Sequence, residues 1–266
     1  MGAVWDRAAE FITDNLGAIL PVALFAFFFP FSIRGNFATA GANGPFGLVL
    51  VLDLVSVAFA ILSLWGCLTV IAMSLDSGDG RNAGALAGRR LAPALLVWVS
   101  VLAALLLLVM PVPLLLTANG YDPAAVVQKQ ILIAPALAWA IDLYLLALGA
   151  LFLWISARLI LVSPVIVQEK RLFGALARSF RLTRGLTLQI VGVMLLYFAV
   201  SMVAIWATHM VFGSIFQLIA GQMTGVSLSG VLTSVMVAAV QTACLLIVPA
   251  FTSKLYQALT IQRNRA

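Results

Sequence analysis

Apolar residues run along this chain in long unbroken stretches, and polar residues collect between them. Six stretches, about 15–33, 47–74, 93–118, 135–163, 187–212 and 230–257, are long enough to cross a bilayer, which takes roughly 20 residues of α-helix. In lipid every backbone N–H and C=O must be paired within the protein, so only helices and closed barrels can span. A barrel would show alternating positions, and these runs are continuous. The pattern therefore predicts an all-α polytopic membrane protein with six transmembrane helices in a single membrane domain over 1–266. Pro21, Pro30, Pro111, Pro113 and Pro249 lie within or at the ends of spans, where neighbouring groups can pair the carbonyls a proline leaves open. The segment 213–222 either prolongs the fifth span or lies in the interface. The first 15 residues lack the basic region and cleavage site of a signal peptide. They predict a short amphipathic helix leading into the first span.

Composition agrees with lipid as the solvent. Hydrophobic residues make up 64% and charged residues 9% of the 266, and mean hydropathy is +1.14; soluble domains have about 45–50% apolar and about 25% charged residues. The net charge of +6 does not point to nucleic acid, because the cations sit beside the spans, where they set orientation and meet anionic headgroups. Of the 15 Lys and Arg, 13 fall on one side: Arg7, the second–third connection, the fourth–fifth connection and the C-terminal end. Arg34 and Lys129 fall on the other. The positive-inside rule places the crowded side, and with it both termini, in the cytoplasm. Cys67 and Cys244 lie inside apolar runs and read as small packing residues.

An internal repeat is visible. Residues 52–71 align without gaps on 141–160, so Asp53-Leu54 matches Asp142-Leu143 and Trp65 matches Trp154. One residue of slip later, Arg81-Asn-Ala-Gly-Ala-Leu-Ala87 matches Arg171-Leu-Phe-Gly-Ala-Leu-Ala177. Both copies cross in the same sense, which predicts a parallel repeat of helices 2–3 and 4–5, with units 47–118 and 135–212. Trp65 and Trp154 are expected to pack.

The repeat carries a candidate polar site. Asp53 and Asp142 each sit six or seven residues into a span, about 9–11 Å deep at 1.5 Å per residue. An intramembrane carboxylate is costly and is by default a functional candidate. One reading lines a polar cavity with Asp53 and Asp142, open to the outside, with His209 as a partner. The other has each Asp hydrogen-bonding a neighbouring helix and locking the repeat together.

The fourth–fifth connection supplies a second candidate. Leu172, Leu176, Phe180 and Leu182 mark an apolar side, with Arg171, Arg178, Arg181 and Arg184 largely away from it. That describes a basic amphipathic helix in the cytoplasmic interface, and helix 82–91 with Arg89 and Arg90 is a weaker counterpart. It serves either as topology signal and surface anchor or as a grip. In the second case Arg158, Arg171, Arg178, Ser179, Arg181 and Arg184 contact an anionic lipid headgroup or a partner, guanidinium being suited to phosphate.

Enzymatic motifs are absent. The single histidine excludes a His-rich metal site, and no metalloprotease motif, phosphate loop or nucleophile elbow appears. Asp76 and Asp79 lack the remaining ligands of a calcium loop. No catalytic residue, metal or cofactor is expected.

The stretch Arg158-Leu-Ile-Leu-Val-Ser-Pro164, Gly174-Ala-Leu-Ala-Arg-Ser179 and Leu182-Thr-Arg-Gly185 resembles a bacterial family. It is the membrane domain found in glycerophosphoryl diester phosphodiesterases and in related stand-alone inner-membrane proteins, and the likeness extends more loosely over most of the chain. The resemblance implies a bacterial inner membrane and an association with lipid or headgroup metabolism. It does not carry phosphodiesterase activity, because the soluble catalytic barrel of the fused members is not found in these residues. The expected function is a non-catalytic module that binds membrane lipid or a membrane protein partner. The alternative is a transporter or lipid-moving protein working through Asp53 and Asp142.

Overall fold

A proline shapes the entry into the membrane. In this computed structural model, which describes residues 2–36, 45–75, 82–127, 133–169, 174–220 and 227–264, the amphipathic lead-in is helix α1 (Gly2–Asp14). The first span is α2 (Leu16–Ala23), a π-helical turn (Leu24–Phe28) and α3 (Phe29–Arg34). Pro30 has no N–H to give the carbonyl of Ala26, four residues back. The second span, α4 (Phe46–Leu75), answers this: Ser63 Oγ donates to Ala26 O at 3.0 Å. One turn along, Gly66 lets the helices touch, since a Cβ there would lie 2.5 Å from the Ala26 Cβ. The proline defect is thus repaired at the closest approach of spans one and two.

The third span is α5 (Ala83–Val109) continued by α6 (Pro111–Ala118), and a short α7 (Pro123–Val127) follows. The fourth is α8 (Pro135–Leu159) and α9 (Val162–Glu169); α10 (Gly174–Leu182) leads to the fifth, α11 (Thr187–Ala220), and the sixth is α12 (Leu228–Asn264). Six helical runs among the described residues are long and apolar enough to cross a membrane, and no strand occurs among them. Residues 213–220 prolong the fifth span. The first basic connecting helix is no separate element, for it continues through Pro93 into the third span.

The second copy of the repeat behaves differently. Its chain breaks at Ile160–Leu161 before α9 begins. Pro164 cannot donate to Ile160 and disfavours helix in the residue before it, while being tolerated in a first turn. The matching position in the first copy is Leu75, and α4 runs to it unbroken.

Five spans form a ring. α4 packs on α5, α12 on α4, α11 on α12 and α8 on α11. Between α5 and α8 the ring is thin, and there Tyr144 Oη donates to Leu108 O. The first span lies against α12 and α4. The buried helix α9, too short to span, sits across the basic end of the ring against α4, α5, α10 and α12. Most of the core is in that half, in residues 66–74 of α4, α9 and residues 246–259 of α12. Towards the opposite end the outer turns of α4, α5, α8 and α11 are largely exposed.

Polar ties close the basic end. Ser253 Oγ donates to Ser74 Oγ at 2.6 Å, and the Lys254 and Gln257 side chains donate to Ser74 O at 3.3 and 3.1 Å. Helix α1 docks on the same part of α12, with Trp5 on Phe251 and Lys254 over the Phe11 ring. Both described chain ends therefore lie at the basic end, as an even number of spans requires.

Two substitutions separate packing from hydrogen bonding at the first crossing. Gly66→Leu should lower stability in detergent by about 1–3 kcal/mol or more, the scale of overpacking. Ser63→Ala should remove only about 0.6 kcal/mol, the average for interhelical hydrogen bonds in membranes. Thermal unfolding in a maltoside detergent measures both, and equal losses would contradict the close contact at Gly66.

Candidate functional site

Inside the ring, above α9, lies a cavity of about 320 Å³. α4 contributes Leu64, Cys67 and Ile71, α5 contributes Trp98 and Val101, and α8 contributes Ile155 and Ser156. Met194 and Val248 close it from α11 and α12. On the other side of α8 a groove of about 580 Å³ runs between α8, α11 and α12 towards Trp5. The two share Phe152, Ser156, Ile160, Met194, Val248 and Thr252. Phe152, Ser156 and Ile160 recur every four residues, so one line of α8 separates two joined apolar spaces. Volumes of about 300–1,000 Å³ are those of small-molecule pockets. A lining with so few polar groups suits a hydrocarbon chain better than a solute.

The basic helix is placed differently from the expectation. Its buried line is Ala175, Ser179 and Leu182, and it packs on α9 and the end of α8. Protein rather than membrane covers that side. Ser179 is 0% exposed and donates to Arg158 O, so its hydroxyl pins α10 to α8 and is not available to a headgroup. Arg158 donates to Phe180 O at 3.0 Å, with its guanidinium 5.3 and 5.9 Å from the Trp154 and Phe180 ring centroids. Stacking and hydrogen bonding together hold that cation in place. Arg178 Nε donates to Glu169 Oε1 at 3.0 Å, and Tyr256 Oη donates to the same oxygen at 3.1 Å. Arg181 and Arg184 are exposed. Arg171 lies outside the described residues. Gly185, at φ +90°, takes the left-handed turn that starts α11. Both tryptophans pack: Trp65 Nε1 donates to Gly84 O at 3.1 Å, and Trp154 stands edge-on to Phe180.

Asp53 and Asp142 are both exposed, in the half of the bundle away from the basic end. At 100° per residue, Asp53 lies within about 40° of Leu64, Cys67 and Ile71, the cavity face of α4. Asp142 shares the azimuth of Ile160 five turns away. The carboxylates thus stand above the cavity walls on α4 and α8, which do not pack closely on each other. His209 is elsewhere. It lines a separate cleft with Arg34, Asn36, Thr233, Ser234 and Gln241, and neither Asp borders that cleft. The structure does not bring the three expected residues into one site.

Comparison with known proteins adds no neighbour. No protein family, curated protein or solved structure matches the chain. Ser156, Met194 and Thr252, which join the two apolar spaces, were not expected from sequence. The only available signal was a small polar residue inside each of two spans, and many spans carry one.

Exposure in the open half can be read by chemistry. With Cys67 and Cys244 replaced by Ala, Asp53→Cys should react with a membrane-impermeant maleimide in intact vesicles of one orientation. Ser179→Cys, packed against Arg158, should not react until the protein is denatured. A silent Asp53→Cys would show that lipid, not water, reaches that part of α4.

Proposed function

We propose that this chain is a lipid-binding module of the bacterial inner membrane, non-catalytic, with both termini in the cytoplasm. The observation that carries the reading is the apolar cavity inside the helix ring, which shares the wall of Phe152, Ser156 and Ile160 with the apolar groove that reaches Trp5. Both spaces lie in the half of the bundle that carries the basic helices. An acyl chain in them has its headgroup near the leaflet where each cation is worth about 1 kcal/mol towards anionic lipid. Arg181 and Arg184 are the exposed cations of that helix, with Arg171 close in sequence. Arg158 of α8 holds that helix through Phe180 O, and the helix's own Arg178 ties it to Glu169 of α9. The resemblance to the membrane domain of glycerophosphoryl diester phosphodiesterases agrees with a role beside phospholipid or envelope metabolism, alone or with a membrane protein partner.

The protein purified in a maltoside detergent should retain phospholipid detectable by native mass spectrometry. Ser156→Trp or Met194→Trp, which fill the junction of the two spaces, should reduce retained lipid roughly tenfold, equivalent to about 1.4 kcal/mol. Retention unchanged in both variants would remove the cavity as the lipid site.

A second reading rests on Asp53 above the cavity face of α4 and Asp142 above that of α8. Here the open half admits a headgroup or cation on its way past the cavity, and the protein moves lipid. In proteoliposomes, Asp53→Asn/Asp142→Asn should then abolish lipid movement between leaflets while leaving retained lipid unchanged. Movement at the wild-type rate would eliminate this pathway.

A further inference from the structure

The cleft around His209 is unlike the other spaces. It has a volume of about 570 Å³ and is bounded by the end of α3, by α11 and by the first part of α12. It lies at the end of the bundle opposite the basic helices. Gln241 is 13 residues along α12, about 20 Å from its start, and His209 is 11 residues from the end of α11, about 16 Å. A polar cleft at such depth is expensive in hydrocarbon and signals a ligand or a path.

Its chemistry has one sign. Arg34 and His209 bring the ionisable groups, and no carboxylate lines the cleft among the described residues. The neighbouring sequence segments 37–44 and 221–226 contain no Asp or Glu either. The side chains of Arg34, His209 and Gln241 make no hydrogen bond or ion pair with another described residue. Asn36, which also borders the cleft, donates to Ser32 O at 3.2 Å. The hydroxyl protons of Thr233 and Ser234 go to Ser229 O and Gly230 O at 2.7 and 2.8 Å. Those two oxygens are therefore left as acceptors. Donors and positive charge converge from three helices, with acceptors beside them.

We infer that this cleft binds a phosphate-bearing anion. The planar fork of Arg34 suits an oxyanion. Phosphate has enough oxygens to take His209 and Gln241 as further donors beside Arg34, where a carboxylate has only two. The Thr233 and Ser234 oxygens fit a hydroxyl or ammonium on the phosphate's substituent. The phosphate belongs either to a lipid headgroup of that leaflet or to a soluble phosphate ester, and both present the same group to Arg34. The inference does not depend on the apolar cavity, which lies in the other half.

The test uses the full chain in a phosphate-free maltoside detergent and native mass spectrometry. Two probes are offered, dihexanoyl-phosphatidylglycerol and glycerol 3-phosphate, with succinate for comparison. At least one phosphate probe should bind, and Arg34→Gln should weaken it about tenfold or more, the scale of one charge-assisted hydrogen bond. Arg34→Lys should lose less, and Gln241→Leu provides a second variant should the first not fold. Ser156→Trp should leave glycerol 3-phosphate binding unchanged, which separates this site from the apolar cavity. Binding of the lipid alone identifies a headgroup; binding of both identifies a site that takes the free ester. Absence of binding to both probes, wild-type binding in Arg34→Gln and Gln241→Leu, or equal binding of succinate overturns the inference.

Discussion

The carboxylate of Glu169 holds the floor of this bundle together. Helix α9 is too short to span, yet it lies buried across one end of the ring. An ionised group there is tolerable only when paired and hydrogen-bonded. Arg178 of α10 and Tyr256 of α12 both donate to it. Three helices that would otherwise meet only through apolar contacts are thereby fixed in register. Because lipid tails are as apolar as leucine, such contacts alone give helices little reason to choose one partner over another. Above that floor the ring can stay hollow; without it the cavity would be a channel into the basic side.

The two candidate spaces follow from the same arrangement. Packing is dense where α9, α10 and the lower part of α12 meet, and the apolar cavity sits directly on that layer. Towards the other end the spans lose contact with one another, and polar groups from spans one, five and six line the cleft. Apolar space and polar space are thus sorted to opposite halves of one bundle. Under the readings proposed above, that division would let one molecule's tail and another's phosphate be held without competition.

Much of the fold was legible in the sequence, because uninterrupted apolar runs have one physical solution in lipid. The six spans, the amphipathic lead-in and the packing role of Trp65 and Trp154 follow from it. The break before α9 was less legible, since the run 135–163 ends just before Pro164 and nothing in it marks Ile160–Leu161. The opposite holds at the third span, where helix 82–91 and the run from 93 are one continuous helix through Pro93. The basic helix showed an apolar side, but periodicity does not tell whether lipid or protein covers it, and Ser179 is covered by protein. The candidate site was legible only in fragments. Asp53, Asp142 and His209 stand out by type, whereas partners are set by which helices become neighbours, and His209 shares a cleft with Arg34. In the sequence Arg34 is only a charge on the sparse side, and Gln241 is a lone polar residue in an apolar span.

The concentration of the core at one end has a mechanical consequence. Helix contacts in the basic half are protein against protein, whereas in the other half the outer turns of the spans are exposed. A stress applied there by the surroundings acts directly on Asp53, Asp142 and the open walls, while the floor is shielded by its own packing. The thin seam between α5 and α8, closed by Tyr144 on a backbone carbonyl, is where such stress would be taken up. The two ends of the bundle are therefore unequal in how far their shape depends on what surrounds them.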